Sequence, residues 1–364
     1  MKVLHVVGAR PNYMKMAPII AEMACAPEVF TQVLVHTGQH YDDNMSKVFF
    51  DDLAMPTPDE FLGIGSGTHA DQTARTMLAF EVVLLKYKPD WVMVVGDVNS
   101  TLACALVSAK RGIPVAHVEA GLRSRDWSMP EEVNRVLTDR LSQRLFTPSH
   151  DADENLASEG IERERVYFVG NVMIDTLIKM LPRARESSIV RDLGLLPGKY
   201  VLVTLHRPAN VDEPTALANI LTALADMGTR FPVIFPMHPR TSARVAGLGL
   251  AKDQLNLHWL DPLGYLDFLA LMSTAGAVIT DSGGIQEETT FLGIPCLTLR
   301  PNTERPITIE VGTNRLVRPD RDALSAALDQ AMRGGVRTAR VPELWDGCSA
   351  QRIVDVMRRA QVSG

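Results

Sequence analysis

Short runs of aliphatic residues recur along this chain, each followed by a stretch with helical spacing. Lys2–Val7 is the first, a β-branched run ending at Gly8. An amphipathic stretch from about Asn12 to Cys25 leads to a second run, Val33–His36. Helical Asp71–Tyr87 precedes the strand Trp91–Val95, which ends at Gly96-Asp97; helical Thr101–Arg111 precedes Pro114–Val118, which ends at Glu119. Pro130–Ser142 reads as a helix, because a proline in the first turn is followed by two glutamates. Leu145–Thr147 and Val166–Val169 flank a helix near Ala152–Ser158. After Gly170-Asn171 and a loop over Ser187–Lys199 the alternation restarts. Its strands are Tyr200–Leu205, Pro232–Pro236, Leu257–Leu260, Ala277–Thr280, Cys296–Leu299 and Arg315–Val317, with a helix from about Glu213. A last helix, about 348–364, is free to pack back on the first half.

Continuous apolar strands alternating with helices predict parallel sheets covered on both faces, joined by right-handed crossovers. We therefore expect an α/β protein with two Rossmann-like doubly wound domains, 1–169 and 170–347, facing an interdomain cleft. Ligands in such sheets bind at the carboxyl ends of strands. The polar residues of interest fall there: Gly8-Ala9-Arg10-Pro11, Gly96-Asp97, His117 to Glu119, His206-Arg207, His238 and Asp281-Ser282-Gly283-Gly284.

Composition narrows the classes. The chain has 364 residues and a formal net charge of -6, which argues against a nucleic-acid surface; a bound phosphate needs local cations. Cys25, Cys104, Cys296 and Cys348 show no metal spacing and read as buried thiols of a reducing compartment. With no signal peptide or bilayer-length apolar run in view, cytoplasm is the expected location.

The stretch Val278 to Glu288 turns from strand to helix through Asp-Ser-Gly-Gly. Glycines allow close backbone approach, and the first helical turn offers free N–H groups, so the turn suits a phosphate; a plain N-capped turn is the alternative. Arg10 and Lys15 suit a diphosphate, or else a solvated face. The loop lacks the dinucleotide fingerprint, so NAD is not expected. Asp97, Glu119 and Glu131, with Arg135 one turn on, offer acid and base groups. Asp97 could instead cap a helix, and Glu131 with Arg135 could form a surface pair. Glu119, a charge after a fully apolar strand, needs a partner or a task. His206 and His238 end strands of the second half without metal spacing, and Tyr265 could pack a base or simply the helix core.

Read in order, these motifs resemble the non-hydrolysing UDP-N-acetylglucosamine 2-epimerase family over nearly the whole chain. Thr37-Gly38-Gln39-His40, Pro130-Glu131-Glu132-Val133-Asn134-Arg135 and Thr303-Glu304-Arg305-Pro306 complete the set. The resemblance implies a GT-B fold with UDP held by the second domain, no metal, no NAD and a homodimer. It implies reversible inversion at C2 to give UDP-N-acetylmannosamine, through UDP elimination to 2-acetamidoglucal and re-addition, feeding cell-surface polysaccharide synthesis. Position by position, Asp97, Glu119, Glu131 and His206 match the catalytic residues. Arg10, Lys15, Arg135, His238, Ser282, Gly283, Gly284 and Glu288 match the substrate- and UDP-binding ones. Three features depart: Gly8-Ala9-Arg10-Pro11-Asn12 stands where Gly-Thr-Arg-Pro-Glu is common, His206-Arg207-Pro208-Ala209 stands where His-Arg-Arg-Glu is common, and Tyr41 to Ser46 lacks the Arg-Gln of substrate-activated bacterial members. The alternatives are a 2-epimerase for another UDP-sugar, such as UDP-2,3-diacetamido-glucuronic acid, a GT-B glycosyltransferase, and a nucleotide-sugar sensor.

Overall fold

A computed structural model describes residues 1–38, 52–237, 239–248, 256–334 and 340–362. Among them, thirteen strands form two wholly parallel sheets. The first sheet contains β1 (Lys2–Val7), β2 (Thr31–His36), β3 (Glu60–Phe61), β4 (Trp91–Val95), β5 (Val115–Val118), β6 (Arg144–Thr147) and β7 (Val166–Phe168). Its spatial order is β3-β2-β1-β4-β5-β6-β7. The second contains β8 (Val201–Thr204), β9 (Val233–Pro236), β10 (His258–Leu260), β11 (Ala277–Thr280), β12 (Cys296–Thr298) and β13 (Asn314–Leu316), in the order β10-β9-β8-β11-β12-β13. These are the two doubly wound sheets that the alternation predicts. The strand order reverses between β1 and β4 in one sheet and between β8 and β11 in the other. Such switch points open a crevice at the strand ends.

The chain divides into two compact units, Met1–Lys179 with Glu343–Gly364, and Met180–Pro342. Each has its own hydrophobic core, Leu4, Val6, Val35, Val92 and Val94 in the first, and Val201, Val203, Phe235, Ile279 and Leu297 in the second. The final helix, Ser349–Val362, belongs to the first unit, where the Trp345 indole donates to the Pro148 carbonyl at 2.9 Å. Asp175 accepts the Ser349 and Ala350 N–H groups at 3.2 and 2.7 Å.

Two sequence expectations need correction. Only Cys104 and Cys296 are buried; Cys25 and Cys348 are exposed, because they lie at a helix end and in a turn rather than on inner faces. Burial pushes the Cys104 thiol well up and the Cys296 thiol to about 11. The segment Ser187–Lys199 also contains a short helix, Ile189–Asp192.

Candidate functional site

In the first unit, the switch point gathers the ends of β1, β4 and β5. Gly8 is needed there by space: an added Cβ would lie 2.3 Å from Ser100 Oγ and 2.5 Å from Thr37 Oγ1. Asn12, in the first turn of the helix Arg10–Ala24, accepts the Gly8 and Ala9 N–H groups and donates to the Val95 carbonyl at 3.0 Å. It ties the β1 turn to the end of β4. Lys15, one turn on, is 5% exposed and pairs with Glu119, which is 9% exposed. The apolar strand's terminal charge thus has its cation, and Lys15 is no solvated residue. Glu119 also adopts φ 68, the left-handed region that a non-glycine residue enters at a cost of order 1 kcal/mol. Strain of this kind collects at functional positions.

Asp97 follows Gly96 (φ 68) and is held by Arg135, whose Nε donates to Oδ2 at 2.9 Å. It is not the N-cap residue of the next helix, Asn99–Lys110, where Val98 holds that position. Arg135 pairs with Glu132, not Glu131, and Asn134 donates to the Asp97 carbonyl at 2.8 Å. Glu131, half-buried in the first turn of Pro130–Leu141, has a carboxylate that forms no ion pair or hydrogen bond among the described residues. Asp97 and Glu131 are therefore chemically unlike: one is clamped by a guanidinium and the other has no such clamp among the described residues.

Beneath them, His117 is fully buried with acceptors on both ring nitrogens, Asp139 Oδ1 at 2.6 Å and the Gly96 carbonyl at 2.9 Å. Asp139 also accepts the Gly121 N–H at 3.1 Å and faces Arg123 at 2.8 Å. Burial would raise the Asp139 carboxyl, but His117 and then Arg123 overcome it and hold it below the ordinary range. Sequence reading missed Asp139 and gave Glu132 and Asn134 no role beyond their place in a motif. Their signal was a run of polar residues at helical spacing on one face, Glu132, Arg135 and Asp139, all buried.

In the second unit, His206 follows β8 and Asp281 follows β11. Asp281 is fully buried and collects donors: the His206 N–H at 3.1 and 3.2 Å, the Arg207 N–H at 2.9 Å and Asn210 Nδ2 at 3.0 Å; its Oδ1 also lies 2.9 Å from His206 Nδ1. The His206 ring is half exposed. Ser282 precedes the helix Gly283–Leu292, whose N-terminus is open: no side chain caps it. A Cβ at Gly283 would lie 2.5 Å from Arg305 Nη1 and 2.9 Å from Glu304 Oε1, so the turn is packed from behind by a buried charge network. In that network Arg305 bonds Glu287 at 2.9 Å and also Glu304, and Arg300 bonds Glu304 at 2.6 Å. Glu288 is 3% exposed and accepts the Tyr265 hydroxyl at 2.7 Å; Tyr265 is core, 5% exposed. Of the remaining expected site residues, the side chain of Arg10 and the whole of His238 lie outside the described residues, as do Gln39-His40 and Tyr41 to Ser46. No group of three or more His, Cys, Asp or Glu residues able to hold a metal occurs among the described residues. No described helix is long and apolar enough to cross a membrane.

Comparison with known proteins adds an independent line. A family profile described as UDP-N-acetylglucosamine 2-epimerase matches residues 23–358. The UDP-N-acetylglucosamine 2-epimerase of Methanocaldococcus jannaschii is 43% identical, over 98% of this chain and 99% of that protein. The UDP-2,3-diacetamido-2,3-dideoxy-D-glucuronate 2-epimerase of Pseudomonas aeruginosa is 43% identical, over 89% of this chain and 90% of that protein. A crystal structure of the M. jannaschii UDP-GlcNAc 2-epimerase in complex with UDP-GlcNAc and UDP superposes with a TM-score of 0.91 at 42% identity, covering 99% of this chain and 100% of that one.

Proposed function

The chain belongs to the UDP-N-acetylglucosamine 2-epimerase family and is an epimerase, and on that premise we propose that it inverts C2 of UDP-N-acetylglucosamine to give UDP-N-acetylmannosamine, reversibly. The observation that carries this reading is the pair of unlike carboxylates at one sheet's switch point: Asp97 clamped by Arg135, and Glu131 with no ion pair among the described residues.

Inversion at C2 needs a proton removed from one face and returned to the other, so it needs two acid/base groups. In the elimination, one carboxylate takes the C2 proton, the C1–C2 double bond of 2-acetamidoglucal forms, and the C1–O bond breaks with its electrons going to UDP. In the return, the other carboxylate delivers a proton to the opposite face of C2 while a diphosphate oxygen re-forms the bond to C1. The reverse reaction exchanges the two roles. Glu119 with Lys15 supports this pair. The leaving diphosphate gains charge, which His206, Arg10 and the open N-terminus of the helix after Ser282 stabilise. Arg135, His238, Ser282, Gly283, Gly284 and Glu288 complete substrate binding. The product serves cell-surface polysaccharide synthesis, as the resemblance implies. Two copies associate as a homodimer. Neither metal nor NAD takes part.

The second reading is a 2-epimerase for the diacetamido uronate donor, favoured by the 43% identity to the P. aeruginosa enzyme. Incubation with each donor in deuterium oxide, followed by proton NMR, decides. We expect faster turnover of UDP-N-acetylglucosamine, deuterium at C2 of the product, and traces of UDP and glycal. Epimerised product that retains its C2 hydrogen refutes the elimination, and faster turnover of the uronate donor refutes the substrate.

A further inference from the structure

We infer that Asp281 is a positioning residue for His206: its buried carboxylate holds the imidazole with Nδ1–H inward and so reserves Nε2 for the substrate. The inference rests on the reading of His206 given above and goes beyond it by assigning the ring's tautomer and the group that sets it. Neutral imidazole has one donor and one acceptor nitrogen, and the partner of the inner one decides which is which. Here the inner partner is a fully buried carboxylate whose Oδ1 lies 2.9 Å from Nδ1.

The carboxylate cannot turn away from this task. Oδ2 already receives the Arg207 N–H at 2.9 Å and the Asn210 amide at 3.0 Å, and the His206 N–H bridges both oxygens. Asn210 is itself fixed, since it also donates to the Leu299 carbonyl at 3.0 Å. Burial would push the Asp281 carboxyl up; the His206 ring, then Asn210 and the Arg207 N–H, more than offset it and keep it ionised. With Nδ1–H turned to the carboxylate, Nε2 is the nitrogen that meets the diphosphate: once it has taken a proton from solvent it can donate that proton to the departing oxygen and accept it back when that oxygen re-attacks C1. His206 and Asp281 come from β8 and β11, the two strands that flank the sheet's switch point. The carboxylate is therefore set directly at the end of β11, and the imidazole is on the turn after β8.

The Asp281→Asn variant makes a sharp case. Three donors, the His206 and Arg207 N–H groups and the Asn210 amide, claim the one remaining oxygen. The new NH2 group is left to face His206 Nδ1, which must then accept, so the proton moves to Nε2. The test is two-bond nitrogen–proton correlation on the full chain labelled with 15N-histidine, together with steady-state kinetics and UDP titration. The wild-type His206 ring should show Nδ1–H with bare Nε2. Asp281→Asn should show the reverse tautomer, with kcat down about a hundredfold or more. KM for the sugar donor and Kd for UDP should stay within about threefold, because ground-state binding does not use the proton. Asn210→Ala, which removes a bond to the other oxygen, should keep the wild-type tautomer. A wild-type ring protonated at Nε2 overturns the inference, even if Asp281→Asn fails to fold. So does an Asp281→Asn protein with unchanged tautomer, or an Asn210→Ala protein whose tautomer flips equally. If the tautomers behave as stated and UDP-N-acetylglucosamine is not epimerised, the pairing of Asp281 with His206 stands and the substrate assignment falls.

Discussion

Glu119 ends an apolar strand, is buried, sits at φ 68 and meets Lys15. Both side chains are 7% exposed, so little solvent screens them. Removing one partner of a buried pair leaves a desolvated charge, which costs about 3 kcal/mol or more. Lys15→Met is therefore expected to lower unfolding stability by about that amount in urea titration. Adding Glu119→Gln should recover part of the loss. If Lys15→Met is neutral, the pair is not what steadies this turn. At this scale the sequence was half legible. Charges at strand ends stood out because an isolated charge after Val-Ala-His-Val has no local explanation. Their partners did not, since Glu132, Asn134, Asp139 and Asn210 reach them only through tertiary packing.

Strand β1 carries His5 at its centre, opposite Leu34 on one side and Met93 on the other, fully buried. Neither ring nitrogen has a hydrogen-bond partner among the described residues. Burial pushes this histidine down to about 4, with Gln32 opposing weakly. The folded pKa lies below the unfolded one, so the unfolded chain takes up the proton first. The neutral ring's contribution is whole above about 6.5 and is lost as pH falls towards about 4. The expected loss over that window is on the order of a few kcal/mol. Replacing His5 with Leu should flatten that part of the stability-against-pH curve in denaturant titrations at stepped pH; an unchanged slope refutes it. Strands with four or more β-branched or aliphatic residues were legible because their whole length is buried. Glu60–Phe61 was not: two residues carry no period. The helix Val172–Ala184, with Pro182 inside it, was also missed.

Among the described residues of the whole molecule, one helix carries an exposed apolar stripe. Leu78, Val82 and Leu85 line the outer side of the helix His69–Tyr87 at 71%, 65% and 52% exposure. Their four- and three-residue spacing makes a continuous stripe, the kind of face a second copy covers in a twofold pair. The double change Leu78→Glu and Val82→Glu is expected to convert the proposed dimer to monomer in light scattering; an unchanged mass moves the interface elsewhere. The return of the last helix to the first unit has a different reach. Residues 180 to 342 form one uninterrupted stretch, whereas the other unit needs both ends of the polypeptide. Growing chains usually fold from the front. On the ribosome this one must reverse that habit. The unit spanning 180 to 342 can mature while the earlier-made unit is still waiting for Trp345, Ser349 and Ala350 to emerge, so the portion translated first is finished last.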